Sequence, residues 1–113
     1  METSASKQHH WTKLLKFYGD QNKGRLTRVG VFEGGNDFWL EDGLPLAGLD
    51  VDVRGDVMTV EIVLGDQVKG TRHFAHAVRN ARSLKLHLSP DQSGDGLDIT
   101  DAEGKTLILR FEN

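Results

Sequence analysis

Apolar and polar residues alternate along most of this chain, and the period of that alternation changes once. From Trp11 to Asn22 it is helical. Trp11, Leu14, Leu15 and Tyr18 stand at i, i+3, i+4 and i+7 and share one face. Lys13 and Lys16 take the opposite side, and Phe17 flanks the apolar stripe. The stripe predicts packing against a sheet. Gly24 stops the helix, and Lys23 suits its negative end.

After Arg25 the period drops to two, the spacing of strands. In Arg25 to Phe32, Leu26, Arg28, Gly30 and Phe32 point one way and Thr27, Val29 and Val31 the other. Both sets hold apolar residues, so the phase stays open. Residues 33–37 read as a turn and residues 38–41 as a short return strand. Trp39 is expected in the core, as most tryptophans are largely buried. The longest strand-like tract runs from Leu44 to Gly65. Pro45 lies near its start, where a missing N–H is tolerated. Leu49, Val51 and Val53 alternate with Asp50, Asp52 and Arg54; beyond a reversal, Met58, Val60, Ile62 and Leu64 alternate with Thr59, Glu61 and Val63. That is the pattern of a hairpin with one buried face. The reversal, Arg54-Gly55-Asp56, is also the integrin-recognition tripeptide, but a hairpin turn already accounts for Gly55 and Asp56.

Gly65-Asp66-Gln67 marks the next turn. Residues 71–78 can be read two ways: a helix puts His73 and His76 on one face, a strand on opposite faces. Gly70 before them and the strand rhythm after them favour a strand. Residues 83–89 form a strand with Leu84, Leu86 and Leu88 inward, followed by a polar loop over 90–96. Residues 97–100 and 105–111 are strands joined by Asp101-Ala102-Glu103-Gly104, with Gly104 at a left-handed position and Leu107, Leu109 and Phe111 inward. The expected fold is α+β: one N-terminal helix packed on a curved, mainly antiparallel meander sheet of seven or eight short strands, with a partly closed barrel as the alternative. Residues 1–10 are expected to be a flexible tail and 11–113 a single domain.

Composition narrows the functional field. A chain of 113 residues, 37% apolar and 27% charged, fits one globular domain. It has no cysteine, which removes disulfides, thiolate catalysis and thiolate metal sites. The start has no apolar signal core, and no apolar run nears the ~20 residues that span a bilayer. A cytoplasmic location is therefore expected. A net charge of −3 argues against a general nucleic-acid binder.

Charge is segregated. Residues 67–90 hold no Asp or Glu but carry Lys69, Arg72, Arg79, Arg82 and Lys85 with three histidines; residues 41–66 hold seven acids against Arg54 alone. On paired strands, opposite charges facing one another would be modestly favourable, and that is the simpler reading. The sharper one is a strip that binds an anion or a partner, formed by Arg72, His73, His76, Arg79, Arg82 and Lys85. It lacks the interleaved aromatics of a single-strand nucleic-acid platform.

Other chemistry is thin. Asp91-Gln92-Ser93-Gly94-Asp95-Gly96 matches the first half of a calcium loop, but Asp98 and Ala102 stand where the apolar residue and the bidentate Glu belong. A metal site on His73 and His76 would need the helical reading and further ligands, and His9-His10 reads as tail. There is no nucleophile elbow, P-loop, dinucleotide fingerprint or zinc-protease helix. Asp50 and Asp52 fall on the solvent face. No catalytic residue, metal or cofactor is assigned.

The order of landmarks resembles a small bacterial family, domain of unknown function 5335. It runs from the helix opening on Trp11 through Gly24-Arg25-Leu26, Leu44-Pro45-Leu46-Ala47-Gly48-Leu49 and Val60-Glu61-Ile62-Val63-Leu64-Gly65 to Asp101-Ala102-Glu103-Gly104-Lys105. The chain departs from that family near Ala81, where a proline is expected. The resemblance implies no activity, ligand or site. Three readings of function follow: a non-catalytic binding or protein-interaction module, with a protein partner or a second copy; a small-molecule or anion-binding domain using the basic strip over 69–87; and, least favoured, an enzyme of unrecognised type.

Overall fold

In a computed structural model, which describes residues 4–65, 73–90 and 95–112 (backbone alone at 4–9, 36, 37 and 73), one helix packs on a curled antiparallel sheet. The helix is α1 (Ser4–Asn22). The strands are β1 (Leu26–Glu33), β2 (Asn36–Arg54), β3 (Val57–Gly65), β4 (His73–Val78), β5 (Ala81–His87), β6 (Gly96–Asp101) and β7 (Thr106–Phe111). Their order across the sheet is β4-β3-β2-β1-β7-β6-β5. Chain neighbours pair as in a meander except β4 and β5, and β1 also pairs with β7, so the sheet curls into a half-barrel. The two outermost strands, β4 and β5, are consecutive in the chain. Only Arg79 and Asn80 separate them, which draws the sheet's two edges together at that corner.

The alternation sets the interior. Thr27, Val29 and Val31 of β1 face inward, which settles the open phase. Met58, Val60, Ile62 and Leu64 on β3, Leu97 and Ile99 on β6, and Leu107, Leu109 and Phe111 on β7 complete the core. Each such side chain contributes about 1.5–3 kcal/mol by leaving water. The Thr27 hydroxyl donates to the Leu44 carbonyl at 2.8 Å, so the one buried polar group of β1 is satisfied.

The helix covers one end of the half-barrel. Trp11, Leu15 and Tyr18 are buried. Gly19 lies so close to β2 that an added Cβ would stand 3.3 Å from the Leu49 nitrogen. Tyr18 donates to the Gly96 carbonyl at 3.0 Å and stacks obliquely on Phe111. Gly24 ends the helix in a left-handed conformation (φ 89°), as its position predicts. Among the described residues no helix is long and apolar enough to cross a membrane.

Four expectations need correction. The helix begins at Ser4 rather than at Trp11, and no Gly or Pro between the two interrupts it. The short return strand and the central tract are one 19-residue strand, β2, which pairs with β1 through its first part and with β3 through its second. Gly43 (φ 91°) and a register shift between Leu46 and Gly48 accompany the change of partner. Leu88, read as inward, is 74% exposed because β5 ends at His87. Trp39 is not core: it is 47% exposed on the outer face, opposite Gly30 in register. The loop suggestive of calcium lies outside the described residues except for Asp95 and Gly96, and Asp95 is engaged otherwise.

Candidate functional site

The end of the half-barrel away from the helix is open. Strand register fixes which end is which: on β7, Phe111 meets Tyr18 of the helix, while Leu107 lies at the far end, paired with Val31. There Val31, Phe38, Leu40, Val78 and Leu107 wall a cavity of about 560 Å³. Phe38 faces inward because it pairs with inward Val31; its neighbour Trp39 therefore faces out. The volume falls within the range of small-molecule sites, and the mouth of a β-barrel is a usual place for one.

Two turns form the polar rim. The β4–β5 corner carries Arg79 and Asn80, with Asn80 at φ 59°, a left-handed conformation that asparagine tolerates better than most residues. The Asn80 carbonyl accepts from the Ala102 N–H at 3.1 Å, which joins this corner to the β6–β7 turn. That second turn is braced by Asp101, whose Oδ1 accepts from the Glu103 and Lys105 N–H groups at 2.9 and 3.0 Å. Lys105 reaches Glu33 at the end of the neighbouring strand β1 at 3.8 Å. Arg79 and Glu103, both exposed, make no side-chain hydrogen bond or ion pair among the described residues.

His76 stands on the β4 wall, half-buried and stacked parallel to Phe74 at 6.2 Å. Burial, helped by the positive charge of Lys105, pushes its pKa below the ordinary histidine value. At neutral pH it is therefore an uncharged imidazole.

The predicted basic strip is divided by this geometry. His76 and Arg79 line the mouth. Arg82 and Lys85 are exposed on β5, and Lys85 pairs in register with Asp98 on the outer face. Arg72 lies outside the described residues, and of His73 only the backbone, paired with Gly65, is described. Among the described residues the acids of β2 and β3 do not meet the strip across paired strands. Asp50 pairs with Glu61, Glu61 with Ala77, and Asp52 forms its ion pair with Arg54 on its own strand.

Sequence reasoning missed Glu33, Phe38, Asp101, Glu103 and Lys105. The available signal was the Asp101–Lys105 hairpin loop, but nothing in the sequence placed it beside the Arg79 corner, 22 positions earlier (101 − 79).

Two other polar clusters are structural. At the helix end, Asp95 pairs with Arg25 at 3.1 Å and accepts from the Ser89 N–H at 2.9 Å, while the Arg25 guanidinium stacks over Phe111. On the outer face, Asp98 bridges His87 and Arg110 at 2.9 and 2.8 Å. Burial pushes the Asp98 pKa up, but the bonds from His87 and Arg110 outweigh it and hold the carboxyl below its ordinary value. Among the described residues no three His, Asp or Glu side chains are grouped as metal ligands.

No protein-family description matches the chain, and neither a curated protein nor a solved structure is similar enough to stand as a relative.

Proposed function

We propose that this chain is a non-catalytic binding module whose working site is the open mouth of the half-barrel, and that the mouth holds a small organic molecule with an apolar body and an anionic group. The observation that carries the reading is the pairing of an apolar cavity of about 560 Å³ with an Arg79 guanidinium that no side chain among the described residues engages. Arginine at the rim of an apolar cavity is suited to a carboxylate or similar group, which it can bind with two parallel bonds.

The composition of the lining favours binding over catalysis. Among the described residues it contains no Ser, Thr, Cys or Tyr. Asp101 is folded back onto its own turn and Lys105 is drawn to Glu33, so neither is aimed into the cavity as a nucleophile or base.

Anilinonaphthalene sulfonate, an apolar body with one anionic group, tests this directly. The dye should bind saturably at one site with enhanced fluorescence. Ala102→Trp, a substitution at an exposed lining position, should abolish the signal while the near-ultraviolet circular dichroism of the fold persists. Unsaturable binding, or equal binding by the variant, would overturn the reading.

A further inference from the structure

Among the described residues the rim of the mouth presents two charged side chains without a partner, and they are of opposite sign. Arg79 sits on the β4–β5 corner and Glu103 in the β6–β7 turn. Neither side chain has a hydrogen bond or ion pair among the described residues. The other charged groups of the rim are committed: Lys105 to Glu33, and Asp101 to two N–H groups of its own turn. His76 adds no charge at neutral pH.

The backbones that carry these two side chains are tied together. Asn80, next to Arg79, accepts a backbone hydrogen bond from Ala102, next to Glu103. Arg79 and Glu103 therefore flank one staple, at the entrance to a cavity walled by Val31, Val78 and Leu107. A cation and an anion carried by two tied turns at the rim of an apolar hollow match a ligand that carries a carboxylate, an ammonium and an apolar side chain on one small centre.

Resting on the reading of the mouth as the binding site, we infer that its ligand is a zwitterion of the α-amino acid class with an apolar side chain. The carboxylate is received by Arg79, the ammonium by Glu103, and the side chain enters the cavity past Phe38. Two charged groups and one apolar group of the ligand are thus read by three separate parts of the mouth. A ligand with one charge leaves the opposite rim group unmatched.

The test uses four matched probes on the intact chain, followed by calorimetry: phenylalanine, phenylalaninamide (ammonium only), hydrocinnamate (carboxylate only) and hydrocinnamamide (neither), with the same series on a leucine body. The zwitterion should bind best, and loss of either charge should weaken binding about tenfold, the worth of one charge-assisted hydrogen bond. Arg79→Gln should erase the difference between phenylalanine and its amide while keeping the preference for the amine. Glu103→Gln should do the reverse. Both positions are exposed, so neither variant threatens the fold. Equal binding of all four probes, or binding of none when anilinonaphthalene sulfonate does bind, would overturn the inference and leave the mouth as a site for some other ligand. Failure of the dye as well would remove the underlying reading.

Discussion

Asn80 and Ala102 tie the two turns of the mouth together: the Ala102 N–H donates to the Asn80 carbonyl at 3.1 Å, and Asn80 holds a left-handed backbone (φ 59°) to present that carbonyl. This contact continues the β5–β6 ladder past the Ala81–Asp101 pair, at the corner between β4 and β5. It also sets Arg79 and Glu103 at the entrance of the same cavity.

The left-handed corner predicts an asymmetry between two substitutions. Asn80→Gly should be nearly neutral, because glycine adopts this conformation without penalty. Asn80→Val should cost about 1–2 kcal/mol, since a branched Cβ crowds the carbonyl there. Urea denaturation of both variants separates the cases; equal effects would mean that the backbone conformation is not what Asn80 supplies.

Gly30 and Trp39 predict a coupled pair. A Cβ at Gly30 would lie 2.7 Å from Cε3 of Trp39, so the indole occupies the space that a side chain would need. Trp39 is further held by Phe32, edge-on at 6.1 Å, and by the Arg28 guanidinium at 4.9 Å from its ring. Gly30→Ala should displace the indole and destabilise the fold by about 1–2 kcal/mol, in the range of other overpacking changes. In the Trp39→Ala background the same change should cost much less. Additive losses in the double-mutant cycle would contradict the contact.

The helix end predicts an acid limb of stability. The bond from the Ser89 N–H holds the Asp95 carboxyl below its ordinary value; burial opposes this, and Arg25 adds to the lowering. A carboxylate whose pKa is lower folded than unfolded stabilises the fold above the unfolded value, near 3.8. That contribution is lost as pH falls through the folded value, because the unfolded chain takes up the proton more readily. Asp95→Asn should therefore cost about 1 kcal/mol near neutral pH, as expected for loss of a charge-assisted contact, and should make the acid limb shallower. Chemical denaturation at a series of pH values measures both.

The sequence carried the period of each element well, because alternation and turn glycines are local signals. Leu107, Leu109 and Phe111 faced inward as their spacing required, and Gly104 took its left-handed conformation (φ 88°). Trp39 shows the limit. Its burial depended on which face of β2 met the core, and apolar residues lay on both faces of β1 opposite it. The indole found its packing on the outer face, over a glycine, which no local pattern distinguishes from a core position. The site was less legible still. His76 and Arg79 stood out as members of a basic run, but strand alternation placed Lys85 on the outer face while His76 turned inward. Glu103 and Lys105 joined Arg79 through the pairing of β5 with β6, in which Ala81 meets Asp101, a register that no local pattern announces.

The most direct test of the account is an amide NMR map of the chain titrated with anilinonaphthalene sulfonate. The account predicts shifts concentrated at His76 to Asn80, at Asp101 to Lys105 and at Val31 and Phe38, with Tyr18, Gly96 and Phe111 at the helix end unmoved. Shifts centred instead on Arg28, Phe32 and Trp39 of the outer face would contradict it.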